Sequence, residues 1–112
     1  MTESTLKATQ FYILLALSHE ARHGLAIARD VQALSEGRVR LWPATLYGSL
    51  EELRDRGWIE ELSEHPADES ERRRYYRLTR AGRQALEAEA EHLSRVARLA
   101  RSRVRPRTGE AR

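Results

Sequence analysis

The sequence predicts a mainly α (α+β) fold, in which three short helices are followed by a two-stranded β hairpin and a long C-terminal helix. Apolar residues recur at helical spacing in three separate segments before Gly57. Two short strand-like stretches on either side of an acidic segment predict the hairpin. A regular alternation of four- and three-residue spacings after Thr79 predicts a single long helix.

The first two helices are predicted over residues 6–17 and 25–35. The first segment is apolar on nearly all sides, which indicates burial against several neighbours. Residues 18–24 are expected to form a break between the helices. The second helix stops before Gly37 and carries one apolar face. That face consists of Ile27, Val31 and Leu34.

The stretch 41–59 contains the third helix and is the most informative part of the chain. Pro43 suits the first helical position, because its missing N–H would be unpaired there anyway. Gly57 ends the helix as a residue that accepts the left-handed conformation. The apolar stripe consists of Leu46, Leu50 and Leu53. The opposite face has no carboxylate before Glu51, so it suits an anionic partner such as nucleic acid. Its members are Ala44, Thr45, Tyr47, Gly48 and Ser49.

Two strands are predicted, over residues 58–62 and 72–78, with Tyr76 and Leu78 on one face of the second strand. The intervening segment, residues 63–70, is polar and acidic and contains a proline, which predicts a loop. The hairpin would therefore have a long acidic tip, followed by an arginine-rich strand.

The C-terminal helix is predicted from Arg80 to about Arg103, with Thr79 as its N-cap. Its apolar and alanine positions follow the pattern of two helices packed along their length. These positions are Leu86, Ala90, Leu93, Ala97, Ala100 and Val104. The alternative is an amphipathic helix packed on its own domain, but a helix this long overshoots so small a body.

The composition fits one small cytoplasmic domain. The chain has 112 residues and no cysteine, which excludes disulfides and thiolate metal sites. No apolar run approaches the ~20 residues of a membrane span, and the N-terminus has no signal-peptide layout. The net charge is +3, and every basic residue other than Lys7 is arginine, which suits phosphates and base edges. We expect a soluble protein that needs no cofactor.

Residues 19–23 spell His-Glu-Ala-Arg-His, which is the H-E-x-x-H pattern of zinc proteases. That chemistry requires two histidines on one helical turn, together with a third ligand around an open zinc position. The five residues fall in the predicted break between helices, and the chain is small for a catalytic cleft. We therefore expect neither a metal site nor an enzyme.

The predicted order of elements is that of a winged helix-turn-helix domain with a dimerisation helix. The chain resembles the PadR-type transcriptional regulators, of the short kind with one C-terminal helix. The resemblance covers roughly residues 8–85. It rests on Ile-Leu-Leu-Ala-Leu at 13–17, His-Gly at 23–24, Pro-Ala-Thr-Leu-Tyr at 43–47 and Arg-Tyr-Tyr-Arg-Leu-Thr at 74–79.

The resemblance implies a homodimer whose third helices enter adjacent major grooves of a double-stranded DNA operator, with half-sites about 10 base pairs apart. Family members typically repress genes, and some release DNA when a small aromatic or lipophilic effector binds near the dimer interface. The chain then divides into a DNA-binding domain (5–78), a dimerisation helix (79–105) and a disordered tail (106–112).

The resemblance also assigns DNA contacts. Hydroxyl-bearing residues of the third helix would reach phosphates or base edges, and small residues there would allow close approach. Wing arginines would hold phosphates and supply salt-dependent affinity, and a histidine at the start of the second helix would contact another phosphate. The third-helix positions are Ala44, Thr45, Tyr47, Gly48 and Ser49. The wing positions are Arg72, Arg73 and Arg74, and the histidine is His23.

Two features depart from the family pattern. The wing carries carboxylates between residues 68 and 71 where the family has glycine and lysine, which weakens a phosphate-contacting tip. Residues 79–112 contain no aromatic residue, so a planar ligand sandwiched in the dimerisation helix is not expected. Trp42 or Trp58 could serve a ligand pocket, but each is interpreted as a structural tryptophan. The acidic wing favours one alternative function, a winged-helix protein-interaction module that does not bind DNA.

Overall fold

The computed structural model describes residues 6–62 and 74–105. The elements along these residues are α1 (Ala8–Ala16), β1 (Arg22–His23), α2 (Gly24–Leu34), α3 (Pro43–Asp55), β2 (Ile59–Leu62), β3 (Tyr75–Leu78) and α4 (Arg80–Val104). This order confirms the predicted mainly helical winged fold with its long C-terminal helix. The predicted loop at 63–70, the wing residues Arg72 and Arg73, and the tail at 106–112 lie outside the described residues.

The sheet has three strands where two were predicted. Its strand order is β1-β3-β2, and both pairings are antiparallel. Arg22 lies opposite Tyr76 and His23 opposite Tyr75. The added strand β1 is two residues long, which is too short to show the alternation that identifies a strand in a sequence. It connects the hairpin to the first residue of α2, so the wing and the second helix are held together.

The core lies between α1, α2, α3 and the sheet. The predicted burial of α1 on several sides is confirmed, since Ile13 and Leu14 are inaccessible to solvent. In α2 the predicted face is wrong at one position, because Leu34 is 46% exposed. Burial instead follows a four-residue spacing through Ile27 and Val31 to Ser35, which is 2% exposed.

The end of α3 and the start of α4 are joined through backbone groups. Gly57 ends α3 with a φ of 79°, as predicted. Thr79 caps α4 as predicted, because its Oγ1 accepts a hydrogen bond from the Gly82 N–H at 3.0 Å. A Cβ on Gly82 would overlap the Trp58 carbonyl oxygen. Glycine is therefore required here for the close approach of α4 to the strand that follows α3.

Helix α4 extends well past the domain on which its first turns pack. Its first turns pack on the core through Ala85 and Leu86, and Arg83 reaches the Ser18 carbonyl oxygen at 3.4 Å. The molecule is 64 Å long in one direction and 32 Å and 23 Å in the others. Within residues 6–62 and 74–105, no helix is both long and apolar enough to cross a membrane.

Candidate nucleic-acid interface

Helix α3 presents one of its faces to solvent. The predicted stripe is buried, with Leu46 at 4%, Leu50 at 1% and Leu53 at 0% exposure, so the opposite side of the helix projects outward. On that side, four predicted contact residues are exposed and Ser49 is half-buried. The exposed four are Ala44, Thr45, Tyr47 and Gly48. Since the first carboxylate of α3 is Glu51, no negative side chain on the first two turns repels a phosphate.

Tyr47 is supported by the first residue of α2. Its side chain is 51% exposed, yet its ring lies over Gly24. A Cβ built on Gly24 would lie 2.9 Å from the Tyr47 Oη and 3.3 Å from Cε1 and Cζ. The absence of a side chain at Gly24 therefore defines where the tyrosine ring rests. The start of α2 therefore lies against the side chain that carries this hydroxyl.

His23 is the N-cap of α2. Its Nδ1 accepts a hydrogen bond from the Ala26 N–H at 3.3 Å, which satisfies one of the unpaired donors at the helix start. Its ring meets Tyr75 edge-to-face, with centroids 5.5 Å apart. One imidazole nitrogen is therefore committed to the fold. The predicted phosphate contact by His23 stays a prediction. The structure adds a second role for this residue, as the N-cap of α2.

Arg74 is the predicted wing contact that falls within the described residues. Its Nε lies 3.7 Å from Glu61 Oε2. Arg54, from the last turns of α3, approaches the same carboxylate, with 3.4 Å between Nη1 and Oε1. Glu61 therefore holds two guanidinium groups where α3 meets the hairpin. Exposed ion pairs of this kind contribute little stability, so breaking either one would cost little free energy.

A cleft of about 210 Å³ separates α3 from β3. It is lined by Tyr47, Leu50, Glu51, Arg54, Arg74 and Tyr76. Burial raises the pKa of Tyr76 above 10.0, the Glu61 carboxylate raises it further, and the Arg74 guanidinium lowers it. The net shift is upward, so this phenol stays protonated at neutral pH and keeps its O–H as a hydrogen-bond donor.

The H-E-x-x-H segment does not form a zinc-protease helix. His19 lies in a bend after α1, whereas His23 lies in β1, so the two side chains do not share a helical turn. Glu20 forms an ion pair with Arg22 at 3.1 Å. Among the described residues, no group of three histidine, aspartate or glutamate side chains is placed to hold a metal ion.

The predicted dimerisation seam runs from the core to the free end of α4. Leu86 packs on the domain core, so the first turns of α4 follow the alternative of a helix packed on its own domain. Leu93 is 41% exposed and Val104 is 80% exposed. Val96 and Leu99, which the sequence analysis missed, are also exposed and widen the apolar stripe. Ala90 and Ala100 are exposed, and Ala97 is half-buried.

Two exposed residues beside α3 were also missed by the sequence analysis: Arg38 and Arg40. Trp42 was interpreted as structural, but its exposure of 63% shows that this is wrong. Trp58 does pack against the core, as predicted. The signal that could have found the two arginines is the alternation of polar and apolar residues from 38 to 41.

Comparison with known proteins places the chain in a family. The model of the family described as "Transcriptional regulator PadR-like family" matches residues 13–88. A curated protein of Streptomyces fradiae, the uncharacterized 37.1 kDa protein in transposon TN4556, is 36% identical over 87 residues. That alignment covers 78% of this chain and 23% of the relative, so the chain spans less than a quarter of the relative's length.

Solved structures show the same fold. A PadR family transcription regulator from hypervirulent Clostridium difficile R20291 superimposes with a TM-score of 0.75 at 20% identity, over 88% of this chain and 99% of that one. RosR of H. salinarum gives a TM-score of 0.62 at 27% identity, over 95% and 81% of the two chains. Because the family model matches most of this chain's length, the chain belongs to the PadR-like family of transcriptional regulators.

Proposed function

We propose that the chain is a sequence-specific double-stranded DNA-binding regulator that acts in the cytoplasm as a homodimeric repressor. In this proposal α3 enters the major groove, where Thr45 and Tyr47 contact base edges or phosphates. The observation that carries the proposal is the outward face of α3, which exposes small and hydroxyl-bearing residues and is free of carboxylates over its first two turns. A helix with that face, in a PadR-like winged fold, suits a polyanionic duplex.

The dimer in this proposal forms along α4. Exposed apolar side chains continue for about two turns beyond the domain, from Leu93 through Leu99. A single α4 leaves this stripe in water, whereas two α4 helices packed along their length would bury it. The dimer would hold two α3 helices at a fixed distance, which lets it select paired half-sites.

Release by a small lipophilic or aromatic effector completes the proposal. It is supported by the family resemblance, which places such ligands near the dimer interface. The described part of α4 contains no aromatic residue. An effector would therefore contact aliphatic side chains there.

The test is a selection of duplexes from a random-sequence library on the purified protein, followed by anisotropy titrations of one enriched and one unrelated duplex. We expect an enriched two-fold-symmetric motif with half-sites about 10 base pairs apart. The enriched duplex should bind at least about 1,000-fold more tightly than the unrelated one. Both affinities should fall linearly with salt on logarithmic axes. Enrichment of no motif, without salt-dependent binding, would favour the protein-interaction alternative.

A further inference from the structure

The segment that leads into α3 has two distinct sides. Between Ser35 and Pro43 the chain alternates, so that Val39 and Leu41 pack on the core. The intervening Arg38 and Arg40, and then Trp42, are exposed. This lead-in, residues 38–42, therefore presents two guanidinium groups and an indole to solvent, immediately before the exposed face of α3.

The lead-in is held in place by a buried serine. Ser35 is 2% exposed, and its Oγ accepts a hydrogen bond from the Val39 N–H at 2.9 Å. The same Oγ lies 3.3 Å from the carbonyl oxygens of Gln32 and Val39, either of which it can donate to. At the other end, Leu41 is 7% exposed and anchors the chain to the core. The exposed side chains thus project from a fixed backbone, which lowers the entropy cost of binding.

Trp42 is an unusual residue to leave in water. It is the N-cap of α3 but makes no side-chain cap hydrogen bond, and 63% of it is exposed. The Arg40 guanidinium carbon lies 5.6 Å from the centre of its ring, and most of the residue remains accessible to a partner. Trp58 has a similar arginine, Arg56, at 4.8 Å. Trp58, however, is half-buried against the core, so packing accounts for a tryptophan at this position.

The charge around Trp42 points to an anionic partner. From residue 38 to residue 50 the chain carries two arginines and no carboxylate. The lead-in and the exposed residues of the first two turns of α3 are therefore adjacent in the chain and include no negative side chain. A tryptophan that is stacked under one arginine suits the deoxyribose-phosphate backbone, because the indole packs on the apolar sugar while the guanidinium donates to the phosphate.

We propose that Trp42 is a DNA-contact residue, which packs on a sugar of the duplex beside the groove that α3 enters, while Arg40 binds the adjoining phosphate. Arg38 adds a second phosphate contact on the same side. This inference rests on the proposed function. It assigns to the lead-in an anchoring role that the family resemblance gave to the wing, whose predicted tip is acidic.

The direct test uses the tryptophans as reporters. The chain has two of them, so Trp58→Phe leaves Trp42 as the sole indole. Acrylamide quenching of Trp42 is measured with and without a saturating labelled duplex, whose anisotropy is followed in the same samples. We expect the quenching constant to fall at least about twofold on binding, because a contacting duplex covers the ring. In Trp42→Phe, the signal of Trp58 should stay constant.

The two readouts separate the two proposals. If the anisotropy does not rise with any duplex, the proposed DNA-binding function fails. If it rises while Trp42 remains as accessible as in the free protein, DNA binding stands and the role of Trp42 is overturned.

A second variant does not depend on the folding of Trp58→Phe. Trp42→Ser places a favoured N-cap residue at the start of α3, so α3 should be retained. We expect it to lower duplex affinity about tenfold, because the apolar contact of the indole with the sugar is lost. Arg40→Gln should reduce the salt slope by about one, whereas Arg98→Gln, on the outer part of α4, should leave it unchanged. Full affinity in Trp42→Ser would contradict the inference.

Discussion

The Thr79 hydroxyl donates a 2.6 Å hydrogen bond to the Gly57 carbonyl oxygen, and so joins the cap of α4 to the residue that ends α3. The Thr79 Oγ1 also accepts a hydrogen bond from the Gly82 N–H, and the Thr79 N–H donates to the Trp58 carbonyl oxygen at 3.0 Å. One residue therefore connects the candidate recognition helix to the candidate dimerisation helix. In a dimer, this connection would fix the distance between the two α3 helices.

Replacing Thr79 tests this connection. Thr79→Ala removes the cap of α4 and leaves the Gly57 carbonyl oxygen without this donor, so we expect a loss of about 1–2 kcal/mol in the free energy of unfolding. Thr79→Ser keeps the hydroxyl and should remain close to the parent protein. Urea denaturation of the three proteins measures the difference. Equal losses in the alanine and serine variants would show that the methyl group, not the hydroxyl, matters.

The contact between Gly24 and Tyr47 makes a separate prediction. In Gly24→Ala the new methyl would lie 2.9 Å from the Tyr47 hydroxyl. The exposed tyrosine is able to rotate away, so the thermal midpoint should change little. Affinity for the enriched duplex should fall, while affinity for an unrelated duplex should not. The matched control is the same change in a Tyr47→Ala background, where it should have no further effect. Additive losses in the double variant would contradict this coupling.

Tyr76 should make the protein sensitive to alkali. Its folded-state pKa is raised, first by burial and then by Glu61. The unfolded chain therefore loses this proton at lower pH than the folded one. The stabilising effect is fully present below the unfolded pKa of about 10 and is lost as pH rises through the folded pKa. We expect the free energy of unfolding to fall more steeply as pH rises above about 10 in the parent than in Tyr76→Phe. Parallel curves would refute this assignment.

The apolar stripe of α4 predicts a dimer that one charge disrupts. Leu93→Asp would place a carboxylate in the seam, where its burial is costly. We expect sedimentation velocity to show monomers at concentrations where the parent is dimeric. Ser102→Asp adds the same charge outside the predicted seam and should leave the dimer intact. A dimer that survives Leu93→Asp would place the interface elsewhere.

Much of this fold could be predicted from local signals. Pro43 and Gly57 bracket α3 because each has a backbone preference that acts within one turn, and Thr79 marks the start of α4 for the same reason. β1 could not be predicted, since a two-residue strand exists only through its partner β3. The predicted buried face of α2 was wrong at Leu34, because Ser35 is buried in its place. The Ser35 side chain holds the lead-in through its hydrogen bond with Val39.

The candidate site was predictable only in part. The outward face of α3 follows from helical geometry once the leucine stripe is recognised. The exposure of Trp42 does not follow from the sequence, because a tryptophan beside a buried leucine is usually part of a core. Its position depends on the tie from Ser35 to Val39, which is a tertiary feature. The pairing of Arg54 and Arg74 with Glu61 likewise joins elements that the sequence leaves apart.

The most direct test of the account is the ratio of affinities for an enriched and an unrelated duplex, measured by anisotropy for the parent, Tyr47→Ala and Arg74→Ala. If α3 reads the sequence, Tyr47→Ala should lower the ratio at least about tenfold, whereas Arg74→Ala should weaken both duplexes alike and keep the ratio. A ratio that Tyr47→Ala leaves unchanged would contradict the claim that the exposed face of α3 recognises DNA.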